Sequence, residues 1–176
     1  MFKIVPLAGL VGTLSDEEIL GWLRSYSSVF DSKTETYLHN KALEMEKRQL
    51  SRTFLTTDDD KNILGYISIG IKCINVPPEM DIDEKILHKM NIEPKRNVAQ
   101  SYLLGQLSRS TKATKGFGRT LVDIAIKKVR EANERVGCRT IRLDCHDELE
   151  PYYEKLGFEH IMKNETESLN QMVTFI

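Results

Sequence analysis

The chain has 176 residues, 40% of them apolar, and a formal net charge of −1 with its histidines neutral. That length is one domain by default, 1–176, with enough apolar material for a single core. The charge balance excludes a general pull toward nucleic acid or anionic membrane, and no apolar run reaches the roughly 18 residues of a membrane span.

The residues from Met1 to Leu7 lack the apolar run and cleavage site of a signal peptide. Ser15 followed by Glu18 is a capping box, and Ile19, Leu20, Trp22 and Leu23 continue as a helical apolar face. A second helix is expected over Glu35 to Lys47. Arg52 to Thr57 reads as a strand, Asp58 to Asn62 as a hairpin turn, and Ile63 to Val76 as a long strand in which Gly65 and Gly70 permit bends or bulges. Pro77 and Pro78 end it. Asp83 to Met90 is a short helix before a charged loop through Arg96. The segment from Pro77 to Arg96 carries no motif, and covering an acceptor cleft is one use for it. Val98 to Leu107 is the next strand, followed by a glycine-containing loop and a helix from Arg119 to Arg135. Thr140 to Cys145, Phe158 to Lys163 and Gln171 to Ile176 are strands, with a short helix over Glu148 to Leu156. This order predicts an α/β domain with a mixed sheet.

Cys73, Cys138 and Cys145 are odd in number and show no Cys-x-x-Cys spacing, which suits a reducing cytoplasm and argues against zinc. His39, His88, His146 and His160 include no pair at i,i+4, so no metal site is expected.

The loop Lys115-Gly116-Phe117-Gly118-Arg119, between a strand and a helix, is the main functional signal. Two glycines one residue apart allow a tight turn and close approach to a ligand. The helix start directs free N–H groups and a positive dipole end at the loop, which suits a phosphate or pyrophosphate. No acidic residue occurs from Pro94 through Val122, whereas Lys95, Arg96, Arg109, Lys112, Lys115 and Arg119 do. The competing reading is a helix-start turn that binds nothing. The loop is neither a mononucleotide P-loop, since Gly116 is followed by Phe117, nor a dinucleotide fingerprint, since Leu121 stands three residues after Gly118.

Three pieces in this order resemble the GNAT superfamily of acetyl-CoA-dependent acyltransferases: the strand Leu103 to Leu107, the loop Lys115 to Gly118 opening a helix, and Pro151-Tyr152-Tyr153-Glu154-Lys155-Leu156-Gly157-Phe158. The resemblance implies a GNAT-like fold, a mixed, mostly antiparallel sheet flanked by helices. A narrower resemblance, to the GNAT toxins of toxin–antitoxin pairs, rests on Phe30-Asp31, Leu38 to Lys47, Leu50 to Phe54, Leu64 to Ile67 and Leu104 to Leu107. Those toxins acetylate the amino group of aminoacyl-tRNA. The sequence departs from the wider pattern at Ala113, where Gln or Arg is usual, at the polar pair Ser108-Arg109, and at His146, where many relatives have Asn.

The resemblance implies acetyl-CoA as co-substrate. Its pyrophosphate would rest on the backbone N–H groups of Lys115, Gly116, Phe117, Gly118, Arg119 and Thr120, with Lys112, Lys115 and Arg119 screening the nucleotide 3′-phosphate. Its pantetheine would pair with the strand edge at Leu107, Ser108 and Arg109 as an added strand would. His146, by its matching position, joins this set. The thioester would lie where that strand parts from Thr140–Cys145. A backbone N–H near Leu107 or Ser108 would stabilise the oxyanion, and Tyr153 would protonate the leaving thiolate. A phenol, pKa about 10, lies a little above a thiol, about 8.5, and can donate or share its proton. The competing reading makes Tyr153 a packing aromatic. Tyr152 is read as core.

No general base stands out: Gln106 sits mid-strand where some relatives place a carboxylate, and Glu148, Glu150 and His146 read as surface residues. A lysine amine, pKa about 10.4, must lose a proton before attack, while an α-amine, about 8, is already partly neutral. An α-amino acceptor, with charged tRNA the leading candidate, therefore suits this site. Cys145 has no His–Asp pattern to make it a nucleophile. Lys33, Lys41, Lys47, Arg48 and Arg52 could form part of an RNA surface, but with Glu35, Glu44 and Glu46 interleaved the favoured reading is a solvated helix. The resemblance also makes an antitoxin protein and a homodimer the expected partners. The alternative from another class is a catalytically weak acyl-CoA-binding regulatory module, motivated by Ala113 and His146.

Overall fold

Ser15 caps the first helix as its spacing predicts. Its hydroxyl accepts the Glu18 N–H, and the Glu18 carboxylate accepts the Ser15 N–H at 2.8 Å. This is seen in a computed structural model that describes residues 1–92, 95–164 and 168–176. Glu93 and Pro94 of the expected charged loop lie outside the described residues.

The strands are β1 (Lys3–Pro6), β2 (Ser51–Thr57), β3 (Ile63–Asn75), β4 (Val98–Arg109), β5 (Thr140–Cys145), β6 (Glu159–Lys163) and β7 (Asn170–Phe175). Their order in the sheet is β1-β2-β3-β4-β5-β7-β6. The pairs β1·β2, β2·β3, β5·β7 and β6·β7 are antiparallel and β4·β5 is parallel. The helices among the described residues are α1 (Asp16–Leu23), α2 (Ser32–Asn40), α3 (Ala42–Lys47), α4 (Glu84–Met90), α5 (Phe117–Asn133) and α6 (Glu150–Glu154). This is the mixed, mostly antiparallel α/β fold expected.

Three elements differ from the sequence reading. β1 was not expected: it is a four-residue edge strand ending at Pro6, too short for alternation to show. The single helix expected from Glu35 to Lys47 is two, broken at Lys41 (φ −124°, ψ −32°), and the first begins at Ser32 because the Asp31 carboxylate caps it by accepting the Lys33 N–H. The helix expected over Glu148 to Leu156 is a turn of 3₁₀ helix, Asp147–Leu149, leading into α6.

The chain packs as two compact units, Met1–Gly70 with Gly105–Ala125, and Ile71–Leu104 with Ile126–Ile176. In the first, Leu7, Ile19, Leu23, Tyr26, Leu38, Leu43, Leu55, Ile63 and Tyr66 form the core. Gly65 is needed there: a Cβ would come within 2.8 Å of Leu121 Cδ1 and 2.9 Å of the Ser108 carbonyl oxygen. In the second, Ile82, Ile86 and Met90 pack with Ile74, Val76, Ala99, Ile161, Met162 and Val173. The segment after Pro77 thus supplies core to its own unit. β4 pairs with β5 at Tyr102↔Ile141 and Leu103↔Arg142. The Arg142 guanidinium is buried on that strand, with Nε and Nη2 each 2.7 Å from the Asp144 carboxylate. Among the described residues, no helix is long and apolar enough to cross a membrane.

Candidate functional site

In the first unit, β4 ends at Arg109 and a seven-residue loop leads to α5. Its turns are local: Ala113 N–H donates to the Ser110 carbonyl at 3.1 Å, and Lys112 N–H to Ser110 Oγ at 3.1 Å. Arg109 Nη1 donates to the Ala113 carbonyl at 3.1 Å, which ties the strand end to the middle of the loop. Gly116 has φ +91°, a left-handed conformation that favours glycine, and nothing lies within 4 Å of where its Cβ would be. Phe117 rests edge-on against Phe2, with ring centroids 5.5 Å apart.

The loop is open at that left-handed turn and carries no acidic residue. Not every donor expected there is free. Phe117 N–H is engaged by the Thr114 carbonyl at 3.2 Å and Arg119 N–H by the Gly116 carbonyl at 3.1 Å. Lys115, Gly116 and Arg119 are exposed, while Gly118 and Thr120 are half-buried. The Lys112 ammonium donates to Asn62 Oδ1 at 2.7 Å, on the β2–β3 turn.

Of the strand-edge residues, Leu107 and Arg109 are half-buried and Ser108 is buried. The Arg109 carbonyl accepts the Val29 N–H at 3.1 Å, and the Thr111 N–H donates to the Ser27 carbonyl at 3.0 Å. The loop after α1 thereby occupies the end of the edge expected to receive pantetheine. Ser108 Oγ lies 2.6 Å from Tyr26 Oη, 2.9 Å from Thr34 Oγ1 and 3.0 Å from Ser28 Oγ. Sequence reasoning missed Tyr26, Ser28 and Thr34, since nothing local marks three hydroxyls that meet a strand some 80 residues later.

Three of the five cations weighed as an RNA surface are paired, as a solvated helix face would have them. Lys47 Nζ lies 2.7 Å from Asp16, Arg48 3.0 Å from Glu44, and Arg52 2.6 Å from Glu46. The buried Glu46 carboxylate also accepts the Thr53 N–H at 2.8 Å.

In the second unit, Tyr153 is buried on α6, with its ring edge-on to Phe158 at 5.8 Å and to Tyr152 at 5.2 Å. Burial, and then the neighbouring Cys145 and Tyr152, push its phenol above the ordinary range. Tyr153 is therefore protonated throughout the neutral range, and the same burial makes it a weaker acid than a free phenol. Cys145 is buried, with Sγ 3.6 Å from Met172 Sδ, and burial with nearby Glu150, Asp144 and Asp147 pushes its thiol up to about 11. A thiol so protonated is a poor nucleophile. His146 is exposed and precedes the 3₁₀ turn without capping it. Lys163 and then Asn170 hold the Asp147 carboxyl below its ordinary range.

No protein-family model and no curated protein sequence matches the chain. Solved structures do. AtaT complexed with acetyl-methionyl-tRNAfMet is 18% identical over 99% of this chain and 95% of its own, with a TM-score of 0.73. A tyrosine-to-phenylalanine mutant of KacT is 18% identical over 99% and 94%, with a TM-score of 0.75. A structure described as a bacterial toxin is 10% identical over 100% and 91%, with a TM-score of 0.77. AtaT is also known bound to the C-terminus of the antitoxin AtaR with acetyl-CoA. The resemblance to GNAT acyltransferases, and among them to the GNAT toxins, holds at the level of the fold across the whole chain.

Proposed function

We infer that the chain is a cytoplasmic, acetyl-CoA-dependent N-acetyltransferase, working as one domain over 1–176, and that its acceptor is the α-amine of a charged tRNA in a toxin–antitoxin setting. The observation that carries this reading is the likeness over 99% of the chain to AtaT, solved with acetyl-methionyl-tRNAfMet and, separately, with acetyl-CoA and an antitoxin.

In this reading Gly116, Gly118 and the first turn of α5 hold the pyrophosphate, and acetyl-CoA supplies an activated acyl group. The backbone at Leu107–Ser108 donates an N–H to the developing oxyanion. Attack by the neutral amine forms the C–N bond and breaks the C–S bond, the nitrogen loses a proton to solvent, and the thiolate takes one from Tyr153. Gln106 cannot accept a proton, which favours an acceptor of low pKa over a lysine side chain. An antitoxin protein is the proposed partner, and a second copy of the chain the proposed dimer mate.

The test supplies radiolabelled acetyl-CoA with charged tRNA, deacylated tRNA, a lysine peptide and polyamines. Label on charged tRNA alone, with growth arrest on expression that Tyr153→Phe relieves, is the expected outcome. Efficient labelling of the peptide or polyamines with none on charged tRNA removes the tRNA assignment and leaves a plain acetyltransferase.

The second reading, a catalytically weak acyl-CoA-binding module, is favoured by Ala113, His146 and the engaged N–H groups of Phe117 and Arg119. Acetyl-CoA binding without thiol release on any amine would select it.

A further inference from the structure

The segment from Ser27 to Thr34 is fastened to the end of β4 by backbone and by side chain. An antiparallel bridge joins Ser28 to Ser110, flanked by Val29 N–H on the Arg109 carbonyl and Thr111 N–H on the Ser27 carbonyl. The Glu35 carboxylate accepts the Ser28 N–H at 2.8 Å and fixes the same segment to α2.

The hydroxyls between them form a closed cluster, in which Thr34 Oγ1 also lies 3.3 Å from Ser28 Oγ. Thr34 has a single hydroxyl proton and the Asp31 carbonyl, 2.7 Å away, can only accept it. With that proton so used, Thr34 Oγ1 can accept from Ser108 Oγ at 2.9 Å or from Ser28 Oγ at 3.3 Å. Ser28 Oγ accepts the N–H groups of Phe30 and Asp31, at 3.4 and 3.3 Å, so its own proton is available to Ser108 at 3.0 Å. Tyr26 donates to Ser108 at 2.6 Å. Ser108 Oγ thus has three hydroxyl neighbours, as many as its one proton and two lone pairs can serve. Its side chain is buried among them. A buried network in which every member is satisfied is stiff and fixes the backbone that carries it.

We propose that Tyr26, Ser28 and Thr34 are positioning residues, which act through the Ser108 hydroxyl to hold the main chain at Leu107–Ser108 where its N–H meets the acetyl oxygen. The inference rests on the acetyltransferase reading above. It also gives the loop after α1 a second role beside packing, since the same segment closes the β4 edge beyond Ser108. Tyr37 provides an internal control: its hydroxyl bonds Ser68 at 3.0 Å and Ser51 at 3.2 Å in the same unit, and its ring stacks on Tyr66 as the Tyr26 ring meets Tyr66 edge-on. It has no bond to Ser108.

Wild type, Tyr26→Phe, Thr34→Val and Tyr37→Phe are compared by thiol release from acetyl-CoA with a charged-tRNA mixture and α-amino amides as acceptors, by calorimetric acetyl-CoA affinity and by Tm. Tyr26→Phe and Thr34→Val should lower kcat by about tenfold or more while acetyl-CoA affinity stays within about twofold, as displaced catalytic groups do. Tyr37→Phe, at a similar loss of Tm, should keep kcat near wild type. Should Tyr26→Phe fail to fold, the near-isosteric Thr34→Val carries the comparison with Tyr37→Phe. An active wild type with equal kcat in the Tyr26, Thr34 and Tyr37 variants overturns the positioning role alone. A wild type that releases no thiol with any amine overturns the acetyltransferase reading and this inference together.

Discussion

Gly65 on β3 lies so close to Ser108 on β4 that a Cβ on Gly65 would stand 2.9 Å from the Ser108 carbonyl oxygen, and 2.8 Å from Leu121 Cδ1 on α5. Backbone cannot yield as a flexible side-chain end can. Gly65→Ala should therefore destabilise the protein by about 1–3 kcal/mol, the usual range for overpacking. Denaturant unfolding measures this, and a midpoint equal to wild type would show that β4 and α5 move aside at no cost.

Gly118→Glu should abolish acetyl-CoA binding while the far-UV circular dichroism stays that of wild type. Gly118 is half-buried in the first turn of α5, where a carboxylate would stand in place of the pyrophosphate. Calorimetric titration with acetyl-CoA is the measurement, and unchanged affinity would remove the donor-loop assignment.

Tyr153→Phe should lower kcat with little change in acetyl-CoA affinity, by roughly 10²–10⁴-fold where proton transfer limits the rate. The buried ring keeps its contacts with Phe158 and Tyr152 in the variant. Because the phenol is pushed up, the wild-type rate should show no loss from Tyr153 ionisation below about pH 10. A kcat loss below about threefold would return Tyr153 to a packing role.

The α1 cap should weaken in acid. The Ser15 hydroxyl and N–H hold the Glu18 carboxyl below its ordinary range. A depressed folded-state pKa contributes stability that is present above the unfolded value, about 4.3, and lost as pH falls through the folded value. Thermal unfolding between pH 6 and 2.5 should therefore fall less steeply for Glu18→Gln than for wild type, and parallel slopes would refute the linkage. Ser15→Ala should cost about 1 kcal/mol at neutral pH.

Glu46→Ala should destabilise by about 1–3 kcal/mol, because it leaves the buried Thr53 N–H without its acceptor. It also releases Arg52 from a 2.6 Å ion pair. If the α3–β2 surface meets RNA, the variant should bind tRNA more tightly in low salt by filter retention. Unchanged retention would place the RNA contact elsewhere.

Much of the fold was legible in the sequence because its signals are local. The Ser15–Glu18 box, the apolar face of α5 and the strand at Thr140–Cys145 all depend on residues within a turn or two of each other. Asp31 and Lys41 show the limit: the cap starts α2 three residues before the expected Glu35, and the break at Lys41 leaves no mark in composition. The glycine loop and Tyr153 were likewise singled out from short motifs. The sequence could not show that Phe117 and Arg119 N–H groups are engaged in turns, or that Glu46 takes Arg52 out of a basic surface, since both depend on how particular donors meet particular acceptors.

By itself, then, the sequence determined most of the element order, the glycine loop between β4 and α5 and the family resemblance, because periodicity, caps and motif spacing are properties of neighbouring residues. Only the tertiary structure decided what surrounds Ser108. Its hydroxyl meets Tyr26, Ser28 and Thr34, 82, 80 and 74 residues away along the chain, and Gly65 leaves room against its carbonyl oxygen. A hydrogen bond requires its partners within about 3 Å, and separation along the chain carries no information about that distance until the strands are paired.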